Sequence, residues 1–137
     1  MNLFKKSFKN WIIIKKRLHF LSNRPKGYKE GEVWWASLGC NIGYEEDGKN
    51  TFFTRPVLIL KKFNQELFLA IPLSTTKRRG KYYFPFELNH KVSVALLSQL
   101  RVLDTSRLIN GRARAKIGKV ENKLFLEIKN KIYEIIN

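Results

Sequence analysis

Cysteine is almost missing from this chain: Cys40 is the one thiol in 137 residues. A lone cysteine excludes an internal disulfide and the four-ligand zinc patterns, and it fits a reducing cytoplasm. Acids are scarce as well, with 11 Asp and Glu against 27 Lys and Arg, which leaves a net charge of +16. That surplus attracts a polyanion or an anionic membrane, and among function classes it favours nucleic acid. No apolar run approaches the ~20 residues that a membrane-spanning helix needs. There is no Cys-His pair, no HExxH motif and no glycine-rich phosphate loop of the usual spacing. The two histidines, His19 and His90, lie far apart in the chain and give a two-histidine ribonuclease little support.

What is present fits one domain, since this length with 44% hydrophobic residues supports one modest core. Residues 1–28 hold eight Lys or Arg and no acid. Within them Phe4, Phe8, Trp11, Ile12, Ile14, Leu18 and Leu21 recur every three or four residues, which predicts a basic amphipathic helix. Ser22, Asn23, Pro25 and Gly27 end it and form a linker. Basic residues interrupt the short apolar patch WIII and no small-residue cleavage site follows, so the segment is expected to be retained rather than removed as a signal peptide. It offers a surface for RNA, lipid or a partner, or an extension packed on the main domain. Membrane contact through residues 1–28 is the least supported of these.

From Glu30 onward the pattern is that of strands. EVWWASL reads as the first, followed by a long loop GCNIGYEEDGKN. RPVLILKKF and ELFLAIPLS follow as strands around a turn at Asn64-Gln65, then the basic loop TTKRRGK. KYYFPFEL, bent or at an edge near Pro85, and VSVALLSQLRVLD add further strands. After the basic stretch GRARAKIGK, Val120, Leu124, Ile128, Ile132 and Ile135 or Ile136 recur with helical period and predict a terminal helix over a small sheet. Five or six short strands with few helices point to a small curved barrel.

The candidate chemistry lies in arginines and hydroxyls at strand ends. Arg55 precedes Pro56, and a residue before proline is biased towards extended backbone, so the guanidinium is held at a defined strand start. Ser74 ends another apolar strand. Cleaving RNA beside its own 2'-hydroxyl needs in-line positioning, charge stabilised on the phosphoryl oxygens and a proton for the leaving oxygen. A guanidinium and a hydroxyl suit the second task. Lys77, Arg78, Arg79 and Lys81 are either a solvated loop or a phosphate-binding groove wall. Glu45, Glu46 and Asp47 are a solvated acidic run or, less well supported, a metal cluster. Trp34 and Trp35 fit core filling, and Tyr44, Phe52, Phe53 and Tyr82 are candidates for base stacking. Arg107 is solvated or paired with Asp104.

Five stretches in one order, GEVWWASLGCNIGYEEDG (31–48), RPVLILKKFN (55–64), AIPLST (70–75), VALLSQLRVLDTSRL (94–108) and KIGKV (116–120), resemble the MazF/PemK family of toxin endoribonucleases over residues 29–137. The resemblance implies a mainly β fold, a small SH3-like barrel with a C-terminal helix, to which residues 1–28 add a basic helical extension. It also implies a homodimer that cleaves single-stranded RNA without metal or other cofactor and is held inactive by a cognate antitoxin. Arg55 stands at the family's principal catalytic arginine and Ser74 at its catalytic threonine, with the hydroxyl kept and the methyl lost. Glu45 matches the acid of the first loop, the candidate for base or water positioning. Gln99 and Arg101 match a Gln-x-Arg that contacts RNA or ties strands. Ser98 and Leu96 stand where some members have an acid and an arginine, so a mechanism through that pair does not operate in this chain. A basic RNA-binding module that kept the barrel and lost the chemistry is the alternative.

Overall fold

The structure of the protein, a computed structural model, describes residues 6–21, 23–109 and 116–137. Phe4, Ser22 and the basic stretch at 111–115 lie outside the described residues. Among these there are seven strands: β1 (Glu32–Ser37), β2 (Thr54–Lys62), β3 (Leu67–Ser74), β4 (Tyr83–Leu88), β5 (Lys91–Leu96), β6 (Arg101–Asp104) and β7 (Lys116–Lys119). Helix α1 (Phe8–Leu21) precedes them and α2 (Asn122–Ile136) follows. The expected mainly β fold with a C-terminal helix is what the chain forms.

All pairings are antiparallel, in the order β4-β5-β3-β2-β1-β7 with β6 also on β3. β3 is the strand on which the sheet turns. Along one edge residues Phe68–Pro72 pair β2; along the other, Leu67–Ala70 pair β6 while Leu73 and Ser74 pair β5. Pro72, which has no N–H to donate, sits where that second edge passes from one partner to the other. VSVALLSQLRVLD is therefore not one strand. A 3-10 turn at Leu97–Gln99 breaks it into β5 and β6, and Leu97 is buried at the corner. Gln99 consequently lies in that turn and not in a strand.

β2 is buried on both faces, which is why VLIL shows no polar alternation. Val57 and Ile59 face a cluster with Tyr28, Trp34, Leu38, Phe68 and Leu103; Leu58 and Leu60 face another with Val33, Ile71, Phe86 and Val120. Ile128 and Ile132 of α2 close the second cluster, as the helical period predicts. Tyr28 is fully buried in the first, so the chain enters the core before β1 begins.

Helix α1 differs from expectation in its packing. Of its apolar positions only Trp11 is buried, while Phe8, Ile12 and Leu21 are exposed. Trp11 enters the body where Gly39 leaves room for the indole: a Cβ there would fall 2.2 Å from Trp11. No described helix is long and apolar enough to cross a membrane.

Candidate functional site

β1, β2 and β3 bring the candidate residues together by register. Ala36 lies opposite Arg55, and Val57 opposite Pro72; carried two residues further, the same β2–β3 register sets Arg55 opposite Ser74. Both are buried, 7% and 8% exposed, at the wall of one cavity of about 160 Å³. Trp35, Lys49 and Asn50 share that wall. Trp34 instead points inward, its indole N–H donating to Glu32 Oε1 at 3.0 Å. The tryptophan pair thus divides between core and site, as strand alternation requires.

Arg55 is held on each side of its guanidinium. Nε donates to the Asp47 carbonyl at 2.8 Å, one terminal nitrogen donates to the Leu73 carbonyl at 3.0 Å, and the other pairs with Glu46 Oε1 at 2.7 Å. Burial pulls its pKa below the usual arginine value; Glu46 opposes this, Arg78 adds to it and Asp47 opposes it again. An arginine so placed still carries its charge at neutral pH. The influence of Arg78 brings the basic loop into the electrostatic environment of Arg55. Ser74 Oγ accepts from the Thr76 amide at 3.1 Å, which sets the direction of its lone pairs.

Glu45 is not brought to Arg55. Its carboxylate caps the Ile42 amide at 2.9 Å on the exposed loop, and Glu46 occupies the place beside the guanidinium. Glu45, Glu46, Tyr44, Gln99 and Arg101 line a second, wider cavity of about 620 Å³. Gln99 joins its walls, accepting from the Glu46 amide at 3.1 Å and donating to the Tyr44 carbonyl at 3.4 Å. The three consecutive acids point to separate partners, with Asp47 Oδ1 taking the Asn41 amide at 2.7 Å. Among the described residues no three His, Cys, Asp or Glu converge on a common point.

Lys77, Arg78, Arg79 and Lys81 are exposed between β3 and β4, with Arg78 5.8 Å from the Tyr83 ring and Lys81 5.0 Å from the Tyr82 ring. Tyr44, Phe52 and Tyr82 are exposed; Phe53 is buried, its ring edge-on to Trp11 at 5.5 Å. Arg107 neither stays solvated nor pairs Asp104. It donates to the Ser37 and Leu38 carbonyls at 3.1 and 3.2 Å, while Asp104 takes Arg24. His19 and His90 line separate cavities. Burial pushes the Cys40 thiol up, away from thiolate chemistry.

The sequence pattern of the PemK-like, MazF-like toxins of type II toxin-antitoxin systems matches residues 29–136. The chain belongs to this toxin family. No curated protein matches it in sequence. Among solved structures, MazF from Deinococcus radiodurans superposes with a TM-score of 0.65 at 19% identity, covering 83% of this chain and 97% of that one. The MazE-MazF complex from the same organism gives 0.61 at 17%, covering 84% and 97%. A mycobacterial endoribonuclease in complex with its cognate antitoxin gives 0.57 at 15%, covering 80% and 95%. At these identities the likeness is one of fold, and the toxin match leaves out α1.

Proposed function

We propose that this toxin is an endoribonuclease that cleaves single-stranded RNA in the cytoplasm, without a metal ion, by attack of the 2'-hydroxyl on the adjacent phosphorus. The observation that carries the reading is the buried Arg55 guanidinium sharing one cavity with the Ser74 hydroxyl. A preorganised cation in a site partly shielded from water stabilises phosphoryl charge far better than a mobile one. An incoming phosphate competes with Glu46 for the Arg55 nitrogen it holds. Once displaced, the Glu46 carboxylate is the base we assign, in place of Glu45. It takes the 2'-hydroxyl proton as the O2'–P bond forms and the P–O5' bond breaks. Arg55 keeps its proton and hydrogen-bonds the departing 5' oxygen, which takes a proton from solvent while Glu46 returns its own to solvent. Lys77, Arg78, Arg79 and Lys81 hold the RNA backbone, and Gln99 and Arg101 hold it across the second cavity beside Glu45.

The partners follow from the same surface. MazE and the mycobacterial antitoxin are bound to toxins of this fold, and a chain of net charge +16 suits an acidic, disordered antitoxin segment. We assign the working form to a homodimer. The test of function is digestion of a long unstructured RNA in EDTA beside the Arg55→Ala variant. Discrete cuts ending in cyclic or 3'-phosphate and lost in the variant are expected; cuts that persist in the variant refute the assignment of Arg55. One observation favours a second reading, an RNA-binding module without chemistry: the Arg55 guanidinium is already engaged by Asp47, Leu73 and Glu46. RNA binding with no cleavage above the Arg55→Ala control would establish that reading instead.

A further inference from the structure

Lys6 precedes α1 in a segment that the toxin-family match does not include, yet its side chain is only 4% exposed. Its ammonium donates to the Asn41 carbonyl at 2.6 Å and the Gly43 carbonyl at 2.8 Å, and pairs with Asp47 Oδ2 at 3.0 Å. An ammonium has three protons, and these partners match them. Burying a lysine is costly unless its donors are satisfied, and here all the acceptors belong to the loop between β1 and β2. Asp47 passes the restraint on: its Oδ1 holds the Asn41 amide, and its own carbonyl accepts from Arg55 Nε.

Two further contacts tie α1 to the same loop. Trp11 fills the space above Gly39 and meets Phe53, whose carbonyl accepts from the Leu38 and Gly39 amides at the neck of the loop. The Arg107 guanidinium lies 5.9 Å from the Trp11 ring while it binds the Ser37 and Leu38 carbonyls. Residues 38–53 contain no strand or helix, so their conformation depends on such side-chain ties; ordering a loop of this length otherwise carries a large entropy cost.

We propose that the N-terminal segment is a brace for the site loop and that Lys6 is a positioning residue, holding Arg55 and Glu46 in place through Asp47. The catalytic half of this inference rests on the ribonuclease reading; the ordering half does not. The experiment uses the full chain as wild type, Lys6→Met, Asp47→Asn, the double variant, and Lys16→Met, which removes the same charge from an exposed position of α1. By hydrogen exchange, Lys6→Met should speed exchange at the Asn41 and Gly48 amides by about tenfold or more and leave the β2 and β3 amides protected. In cleavage it should lower kcat about tenfold or more with KM changed less than about twofold, since misplacement of a catalytic group acts on the rate. In the Asp47→Asn background it should add little, and Lys16→Met should cut like wild type. Wild-type exchange and rate in Lys6→Met overturn the proposal. So does a rise in KM that Lys16→Met reproduces, or exchange that rises throughout β2 and β3. A wild type that binds RNA without cutting it refutes the ribonuclease reading, and the exchange result then decides the brace.

Discussion

Arg55 ties β2 to the Leu73 carbonyl while facing the cavity it shares with Ser74, and the proposed function gives it a chemical task beside this structural one. Replacing it by Ala should therefore lower cleavage about a hundredfold or more, roughly 3 kcal/mol of transition-state stabilisation. A single-turnover assay on the folded variant measures this, and an unchanged rate removes Arg55 from the chemistry. Ser74 separates hydroxyl from packing. Ser74→Thr should keep activity and Ser74→Ala should lose it; equal losses would make the position one of shape alone. Arg55 before a proline and Ser74 at the end of an apolar run stood out in the sequence as local features, but spacing alone joined them weakly and their expected roles came from the family resemblance. Glu46 did not stand out, because three consecutive acids are alike by type, and only the path of the loop decides which of them reaches the guanidinium. Lys6 likewise looks in sequence like any other lysine of a basic segment.

At the scale of elements, the basic loop between β3 and β4 is exposed and is joined to the site by the field of Arg78. Changing Lys77, Arg79 and Lys81 to Gln should weaken RNA binding with kcat nearly kept. It should also flatten the dependence of log affinity on log salt by about two units, if each charge neutralises one phosphate of a single strand. Titration at several salt concentrations reads this, and an unchanged slope means that the loop stays in solvent. On the far side of β1, Glu32 ties the strand to Lys116 of β7 at 2.7 Å. Burial alone would raise this carboxyl's pKa, but the Lys116 ammonium, the Trp34 indole and the Lys29 amide hold it below the usual value. A depressed folded pKa contributes stability that is present above the unfolded value and is lost as pH falls through the folded one. Glu32→Gln should thus cost about 2 kcal/mol near neutrality and progressively less below about pH 4. Denaturant melts across that range test it; a cost that does not change with pH would show that charge is not the cause.

For the whole molecule, the net charge of +16 predicts that the proposed RNA and an acidic antitoxin segment would be attracted on the same electrostatic terms. Polyglutamate should compete with RNA at low ionic strength and lose that effect by about 0.5 M salt, where screening is nearly complete. Inhibition that survives such salt would point to apolar contacts. Charge, the apolar run of β2, the helical period of α2 and the order of the family stretches were determined by the sequence alone, since each depends on composition or on neighbours a few residues away. Tertiary structure alone decided the remainder. It set the β2–β3 pairing that brings Arg55 and Ser74 to the wall of one cavity, and the break that takes Gln99 out of a strand. It also exposed most of the apolar side chains of α1 while burying Lys6 against Asp47. The reason is one of range: periodicity reports which face of an element is apolar, whereas the partner a side chain meets is chosen when distant segments close on one another and every buried charge must find its acceptors.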